Sequence, residues 1–433
     1  MLLSIAVTNF RSIKDRVELT MLKSALKGLS NNYFSSAKKN ILSSSVIYGP
    51  NASGKSGFIR AFQALGYLVN NSADFKPDKK IGPYEPFILD EKTSDQSVAF
   101  EISFLVNKIQ YDYRIAFSKF KIEEEELSYY PNHTKTLLFI RLADKEMKFG
   151  DYYRGAKKTL EKLLLPNQLF LSKAVENNVE MLLEPYRFFA NHLLILPLIN
   201  NGEDDLARLY ARRLAENKNS SFSKKFNALI CALDTGITNV SVEEEDWSRI
   251  EFRDNISTET KAKIMDKYKY SIKTQHPVYS NGKAIGSENF EIDKESAGTQ
   301  NLFGLGGIII EALENGNLLV VDELEKSLHP SITQFLIKLF HNPLINTKNA
   351  QLLFATHDIT QLSNDNFRRD QVWFTQKNEF GITDLFRCSD IPGIRLGTPL
   401  DKWYATGRFG ATPIINDVDF LITMQDTADE KDD

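Results

Sequence analysis

Hydrophobic and polar positions change their spacing several times along the chain, and each change marks a different kind of element. Leu2–Val7, Val17–Met21 and Ser45–Tyr48 are short β-prone runs, the last of them apolar throughout its centre. Gly57 to Leu65 then takes up the period of a helix, and a polar, proline-containing stretch follows from Ser72 to Asp95. Val98–Val106, Gln110–Phe117 and Leu137–Leu142 alternate apolar and polar residues, which predicts an antiparallel meander. The glutamate run inside Lys119–Glu126 reads as a solvated edge or turn.

From Tyr152 to Asp234 the spacing moves towards 3.6. Leucines and aromatics recur at helical intervals in Tyr153–Leu165, Asn178–Phe189 and Asp204–Glu216, punctuated by Pro166, Pro185 and Pro197. Ile237–Glu291 returns to mixed, β-prone sequence that includes Tyr268–Lys273, and from Ser296 an alternation of strand and helix patterns resumes. The expected organisation is therefore an N-terminal lobe over 1–150, a helical insertion over 151–235, a C-terminal lobe over 236–425 and an acidic tail over 426–433. There is no internal repeat.

Composition narrows the class. With 42% hydrophobic and 25% charged residues in 433, the chain has an ordinary globular make-up and enough length for a large core. A net charge of −4 argues against nonspecific coating of nucleic acid but leaves room for a local basic groove. Two cysteines, Cys231 and Cys388, make neither a disulfide framework nor a zinc cluster, and the histidines show no metal spacing. The apolar start at Met1–Val7 is too short for a signal peptide, and no apolar run approaches the ~20 residues of a membrane helix. A cytoplasmic protein without membrane contact is expected.

The chemistry is concentrated in a few motifs. Gly49-Pro-Asn-Ala-Ser-Gly54-Lys55-Ser56 follows an apolar strand and opens a helix, the context that a phosphate-binding loop requires. Its glycines let backbone N–H groups curl around phosphate oxygens at a helix N-terminus. Lys55 is placed to reach the β- and γ-phosphates, and Ser56 to ligate Mg²⁺. Asn317–Glu323 is an apolar run ending in two acids, as a strand buried on both faces would. Asp322 is expected to hold Mg²⁺ through water, and Glu323 to deprotonate the water that attacks the γ-phosphate. Glu295-Ser-Ala-Gly-Thr-Gln300 precedes the apolar helix pattern Leu302–Ala312; read alone, its Ser or Thr caps a helix, and its small residues also suit an anion. His357 follows the apolar run Gln351–Thr356, where a neutral imidazole can hydrogen-bond the γ-phosphate or serve as a polar cap.

Taken together, Gly49–Ser56, Ser296–Gln300, Val321–Glu323, Leu324–His329 and Thr356–Asp358 resemble the Walker A, signature, Walker B, D-loop and H-loop of an ABC-type ATPase head. The expected fold class is accordingly α/β, a mixed sheet around the phosphate loop with an antiparallel meander and a helical insertion. Asn9-Phe10-Arg11-Ser12-Ile13 resembles the start of the RecF/SMC branch, where the arginine lies near the nucleotide. The signature differs from the Leu-Ser-Gly-Gly-Gln of transporter heads. It resembles that of the overcoming-lysogenisation-defect (OLD) ATPases, and Tyr404–Pro413 resembles the closing motif of RloA-like ATPases of phage-defence operons.

This resemblance implies ATP and Mg²⁺ as ligands and a dimer that sandwiches two ATPs. Each ATP would meet Arg11, Asn51, Gly54, Lys55 and Ser56 of one chain and Ser296 and Gly298 of the other, with Glu323 as base and His357 as γ-phosphate sensor. It further implies a switch, as a homodimer or larger assembly, that regulates a separately encoded effector, a nuclease or toxin, because no nuclease acids follow His357. The alternative is a RecF-like clamp on duplex DNA, which needs a basic surface such as Lys224–Lys225 or Lys261–Lys273. The polar residue expected between the first helix and the meander to assist Mg²⁺ has only Tyr84-Glu85-Pro86-Phe87 as a stand-in.

Overall fold

Two sheets share the labour of the head, and the reason is burial. In the computed structural model, residues 1–196, 203–233, 236–247, 252, 256–412 and 424 are described. Strands Ser44–Tyr48, Leu318–Val321 and Gln351–Ala355 are buried at every position, as strands covered on both faces must be. They form the centre of a six-stranded sheet in the order Leu193–Leu196, Leu318–Val321, Gln351–Ala355, Ser44–Tyr48, Val372–Lys377, Thr383–Arg387, parallel except for the last strand. Ile47, Val320, Leu353 and Ala355 face one core and Val46, Tyr48, Leu319, Val321 and Phe354 the other, the period-two alternation of a pleated strand.

The first core also holds the phosphate-loop helix Lys55–Asn71 and a seven-stranded antiparallel sheet running from Lys148–Phe149 through Thr136–Leu142, Ile122–Tyr130, Ile109–Phe117, Val98–Val106 and Leu2–Thr8 to Val17–Thr20. The second core holds the long helix Ala297–Asn315 and helices Pro330–His341, Glu203–Glu216 and Ser221–Ala232. The mixed α/β architecture and the meander are those the sequence predicts. A third, three-stranded sheet (Asn239–Glu244, Tyr270–Ser280, Lys283–Glu291) stands largely in solvent against helix Glu203–Glu216.

One expectation needs correction. Lys119–Glu126 is not a solvated turn: Ile122–Tyr130 is an internal strand of the meander and Glu125 is fully buried. Its carboxylate accepts the N–H groups of Phe170 (2.6 Å) and Leu171 (2.9 Å), at the N-terminus of helix Phe170–Glu176, and the Tyr113 hydroxyl (2.9 Å). Burial pushes this carboxyl upward, against Arg141 and those donors. The neighbouring glutamates pair outward, Glu124 with Arg114 and Glu126 with Lys135.

The described part of 151–235 is mostly helical and also contributes one strand. Helices Phe170–Glu176 and Leu183–Asn191 pack on the phosphate-loop helix, and Leu193–Leu196 is the edge strand of the parallel sheet beside Leu318–Val321. A four-residue apolar run carries no period of its own, so length alone could not distinguish it from helix. Pro197 and Asp234 lie outside the described residues, as do Pro413, the other residues of 413–425 except Met424, and the acidic tail 426–433. No helix among the described residues is long and apolar enough to cross a membrane.

Candidate functional site

The phosphate loop is shaped from behind by the strand pair at the sheet's edge. A Cβ at Gly49 would run into Thr375, and one at Gly54, which has φ +114° at the helix start, would run into Thr383. Those close approaches are used for hydrogen bonds. Ser53 Oγ and Thr375 Oγ1 lie 2.6 Å apart, and Thr383 Oγ1 donates to Ser53 O (2.8 Å) and lies 2.9 Å from Ser12 Oγ, whose hydroxyl can donate to it. The closing motif supports the same loop: Tyr404 packs on Tyr48, at the end of the strand that leads into it, and on Phe374. Lys55 is buried and folds back, donating to Gly49 O (2.7 Å) and Pro50 O (3.1 Å). Burial lowers its pKa to about 8, against the pull of Asp322, Glu323 and Glu325.

A cleft of about 900 Å³ opens over this loop and is lined by Arg11, Asn51, Gly54, Lys55, Ser56, Glu323 and His357 together. Parallel pairing explains the convergence. Strands Ser44–Tyr48, Leu318–Val321 and Gln351–Ala355 end at the same edge of the sheet, where α/β folds place ligands. Glu323 adopts φ +58°, a left-handed conformation uncommon for a side chain of its size, just past the end of its strand. The H-loop is tied to the acids, since Glu325 Oε1 accepts the His357 N–H at 2.7 Å. Burial and Lys55 hold the His357 imidazole below its ordinary range, with Glu325, Glu323 and Asp322 opposing.

Asp322 does not line the cleft, and its N–H is bound to Leu196 O (3.0 Å). Asp322 Oδ1 and Glu325 Oε2 are buried carboxylate oxygens without a hydrogen-bond partner. Unpartnered carboxylate oxygens of this kind have the hard-anion character that Mg²⁺ requires, so the donor set fits that ion.

Ser296 and Gly298 are elsewhere. They line a second cleft of about 390 Å³ with Glu295, Thr299, Ser327 and His329. Ser296 is the N-cap of helix Ala297–Asn315, its Oγ accepting the Thr299 N–H at 3.2 Å, so the capping reading of this motif is realised. Gly298 lies against the D-loop, where an added Cβ would come 2.5 Å from Ser327 O, and Asn301 Nδ2 donates to Lys326 O at 2.6 Å. The signature and D-loop thus form one surface, separate from the phosphate loop of the same chain.

Several residues escape sequence reasoning. Thr375 and Thr383 carry no motif, since a hydroxyl on a strand announces nothing about the loop it will touch. Glu85 occupies the stretch expected to assist Mg²⁺, but its carboxylate takes Arg11 Nη1 at 2.6 Å and its carbonyl the Arg11 N–H at 2.7 Å. It holds the arginine in the cleft. Four lysines of the basic candidates are paired with acids: Lys225 with Glu314 (2.8 Å), Lys263 with Glu259 (2.7 Å), Lys269 with Glu244 (3.6 Å), and Lys273 with Glu291.

Among solved structures, the chain is similar to the SMC head domain from Thermotoga maritima, at 14% identity and a TM-score of 0.38, covering 89% of this chain and 98% of that one. It is similar to an SMC head bound to the C-winged helix domain of ScpA (11%, 0.42, 89% and 97%). It is also similar to an SMC head with an extended coiled coil bound to the C-terminal domain of ScpA derived from Pyrococcus furiosus (11%, 0.44, 94% and 98%). No curated protein matches it. Residues 44–363, from the phosphate-loop strand past the H-loop, match the family described as "AAA domain, putative AbiEii toxin, Type IV TA system", and the chain belongs to that family.

Proposed function

We propose that the protein is an ATP-hydrolysing switch that closes as a dimer, or as part of a larger assembly, and controls a separately encoded nuclease or toxin. One observation carries this reading: the groups suited to bind and cleave a triphosphate and the groups suited to complete its enclosure occupy two different clefts of one chain. A second copy, facing the first head to head, brings one of each together twice. The family description and the OLD-like and RloA-like motifs support the defence role. The pairing of Lys225, Lys263, Lys269 and Lys273 with acids weakens the DNA-clamp alternative.

In this scheme Lys55 leaves the carbonyls of Gly49 and Pro50 for the β- and γ-phosphates, exchanging neutral acceptors for charged ones. Loop N–H groups from Asn51 to Ser56 hold the remaining phosphate oxygens, and Arg11, steadied by Glu85, flanks them. Ser56 Oγ and Asp322 would hold Mg²⁺, which supplies charge neutralisation on the phosphates. Glu323 takes a proton from the attacking water as that water bonds to the γ-phosphorus and the bond to the ADP oxygen breaks, yielding ADP and phosphate. His357, held neutral, donates a hydrogen bond to the γ-phosphate. Ser296 and the Gly298 N–H of the second copy reach the same group, so closure lasts only while the γ-phosphate bridges the chains.

The test is purification of Glu323→Gln from its own host with ATP and Mg²⁺ present. A dimer that retains a stoichiometric protein encoded beside it is expected. A dimer that retains duplex DNA and no protein would transfer the reading to the repair clamp.

A further inference from the structure

The phosphate-loop cleft has two unlike ends, and the strand order fixes which is which. Glu323 and His357 stand past the ends of the strands on one side of Ser44–Tyr48, while Lys377 and Gly381 come from the strand pair on its other side. A triphosphate seated on the loop with its γ-phosphate towards Glu323 must therefore send its nucleoside towards Lys377 and Gly381. That end is apolar. Ile88 and Leu89 line the cleft there and are 73% and 68% exposed, and Phe380, beside Gly381, is 67% exposed.

These exposures do not come from a slack loop. Phe87 is 1% exposed, and its N–H and carbonyl are taken by Asn9 Oδ1 and Thr93 Oγ1, each at 3.0 Å. Asp90, on the other side of Ile88 and Leu89, pairs with Lys14 at 2.6 Å. The turn carrying Phe380 is held by Asn378 Oδ1, which accepts the N–H groups of Phe380 and Ile382, each at 3.0 Å. Gly381 lets the turn lie against Leu89, whose Cδ1 would be 2.6 Å from a Cβ there. Two hydrogen-bonded segments thus meet at Leu89 and Gly381, where Ile88 and Leu89 present apolar side chains to water in the cleft and exposed Phe380 stands next to Gly381, an arrangement that costs solvation unless an apolar body covers it.

We propose that Ile88, Leu89 and Phe380 form the platform for the nucleobase, so that the base is held by apolar contact with the 87–90 loop and the 378–382 turn. This rests on the reading of the cleft as a nucleotide site. The experiment is titration calorimetry of the full chain with Mg²⁺, using ATP and inorganic tripolyphosphate as separate ligands. Wild type should bind ATP at least about tenfold more tightly than tripolyphosphate, the difference being the platform's contribution. Ile88→Ala/Leu89→Ala, which alters only exposed side chains, should weaken ATP about tenfold and leave tripolyphosphate unchanged, with Phe380→Ala acting in the same direction. Equal affinity of wild type for the two ligands, an unchanged ATP affinity in the double variant, or a parallel loss of both ligands would overturn the platform while leaving the phosphate site standing. Failure of wild type to bind either ligand would remove the nucleotide reading itself.

Discussion

The phosphate-loop cleft gathers a buried lysine, strand-end acids and a neutral histidine around a loop pinned by threonines, whereas the signature cleft gathers a capping serine, a glycine and a D-loop turn whose ionisable groups are already engaged. In the second cleft the Glu295 carboxylate is held by Thr274 Oγ1 (2.5 Å) and His276 Nε2 (2.7 Å), and His329 Nδ1 accepts the Ser331 N–H (3.2 Å) as a helix cap. The first cleft has groups free to move protons and bind cations. The second offers hydroxyl and N–H donors and a close backbone approach, the equipment of an anion clamp. The contrast teaches that neither cleft is a diminished copy of the other: each lacks what the other supplies.

Removing the central cation of the first cleft breaks the comparison most severely. Lys55→Ala should weaken ATP at least about 100-fold by calorimetry, because two charge-assisted contacts to phosphate are lost. Glu323→Gln should lower the hydrolysis rate about 100-fold or more, while ATP affinity stays within about threefold and dimer accumulates in light scattering. Hydrolysis at the wild-type rate would mean that another group takes the proton.

The pH dependence sharpens the assignment of Lys55. Its pKa is depressed to about 8 by burial, so the unliganded protein carries the ammonium below that pH and loses it above. Phosphate favours the charged form, so ATP binding should take up a proton near pH 8. Affinity should fall about tenfold between pH 8 and 9.5, read as a Kd profile and as proton uptake in buffers of different ionisation enthalpy. A flat profile would mean that Lys55 stays charged throughout. The smallest effect is expected behind the loop. Thr383→Val removes hydrogen bonds to Ser53 O and Ser12 Oγ and should cost about 1–2 kcal/mol in denaturant unfolding, with a severalfold loss of ATP affinity.

Sequence made the first cleft legible because its chemistry is local: one contiguous loop, one apolar strand ending in acids, one histidine after another such strand. It also marked Ser296 as a helix cap and as an anion donor, and only the fold separates it from the phosphate loop of its own chain. The supports were hidden for a general reason. Thr375 and Thr383 act through strand pairing hundreds of residues from Ser53, and Glu125 looks like a solvated charge until the helix end that consumes it is folded against it. Leu193–Leu196 was equally opaque, since a short apolar run becomes a strand only when Leu318–Val321 lies beside it.

The central claim is that the two clefts meet across two chains, and mixing two crippled variants tests it directly. Ser296→Arg keeps a working phosphate loop and spoils the signature; Lys55→Ala does the reverse. Each alone should be inactive, and an equimolar mixture should recover up to about a quarter of the wild-type ATPase rate, because half the dimers are mixed and each holds one intact site. A mixture as inactive as its components, or a Ser296→Arg protein that hydrolyses ATP at the wild-type rate by itself, would contradict it.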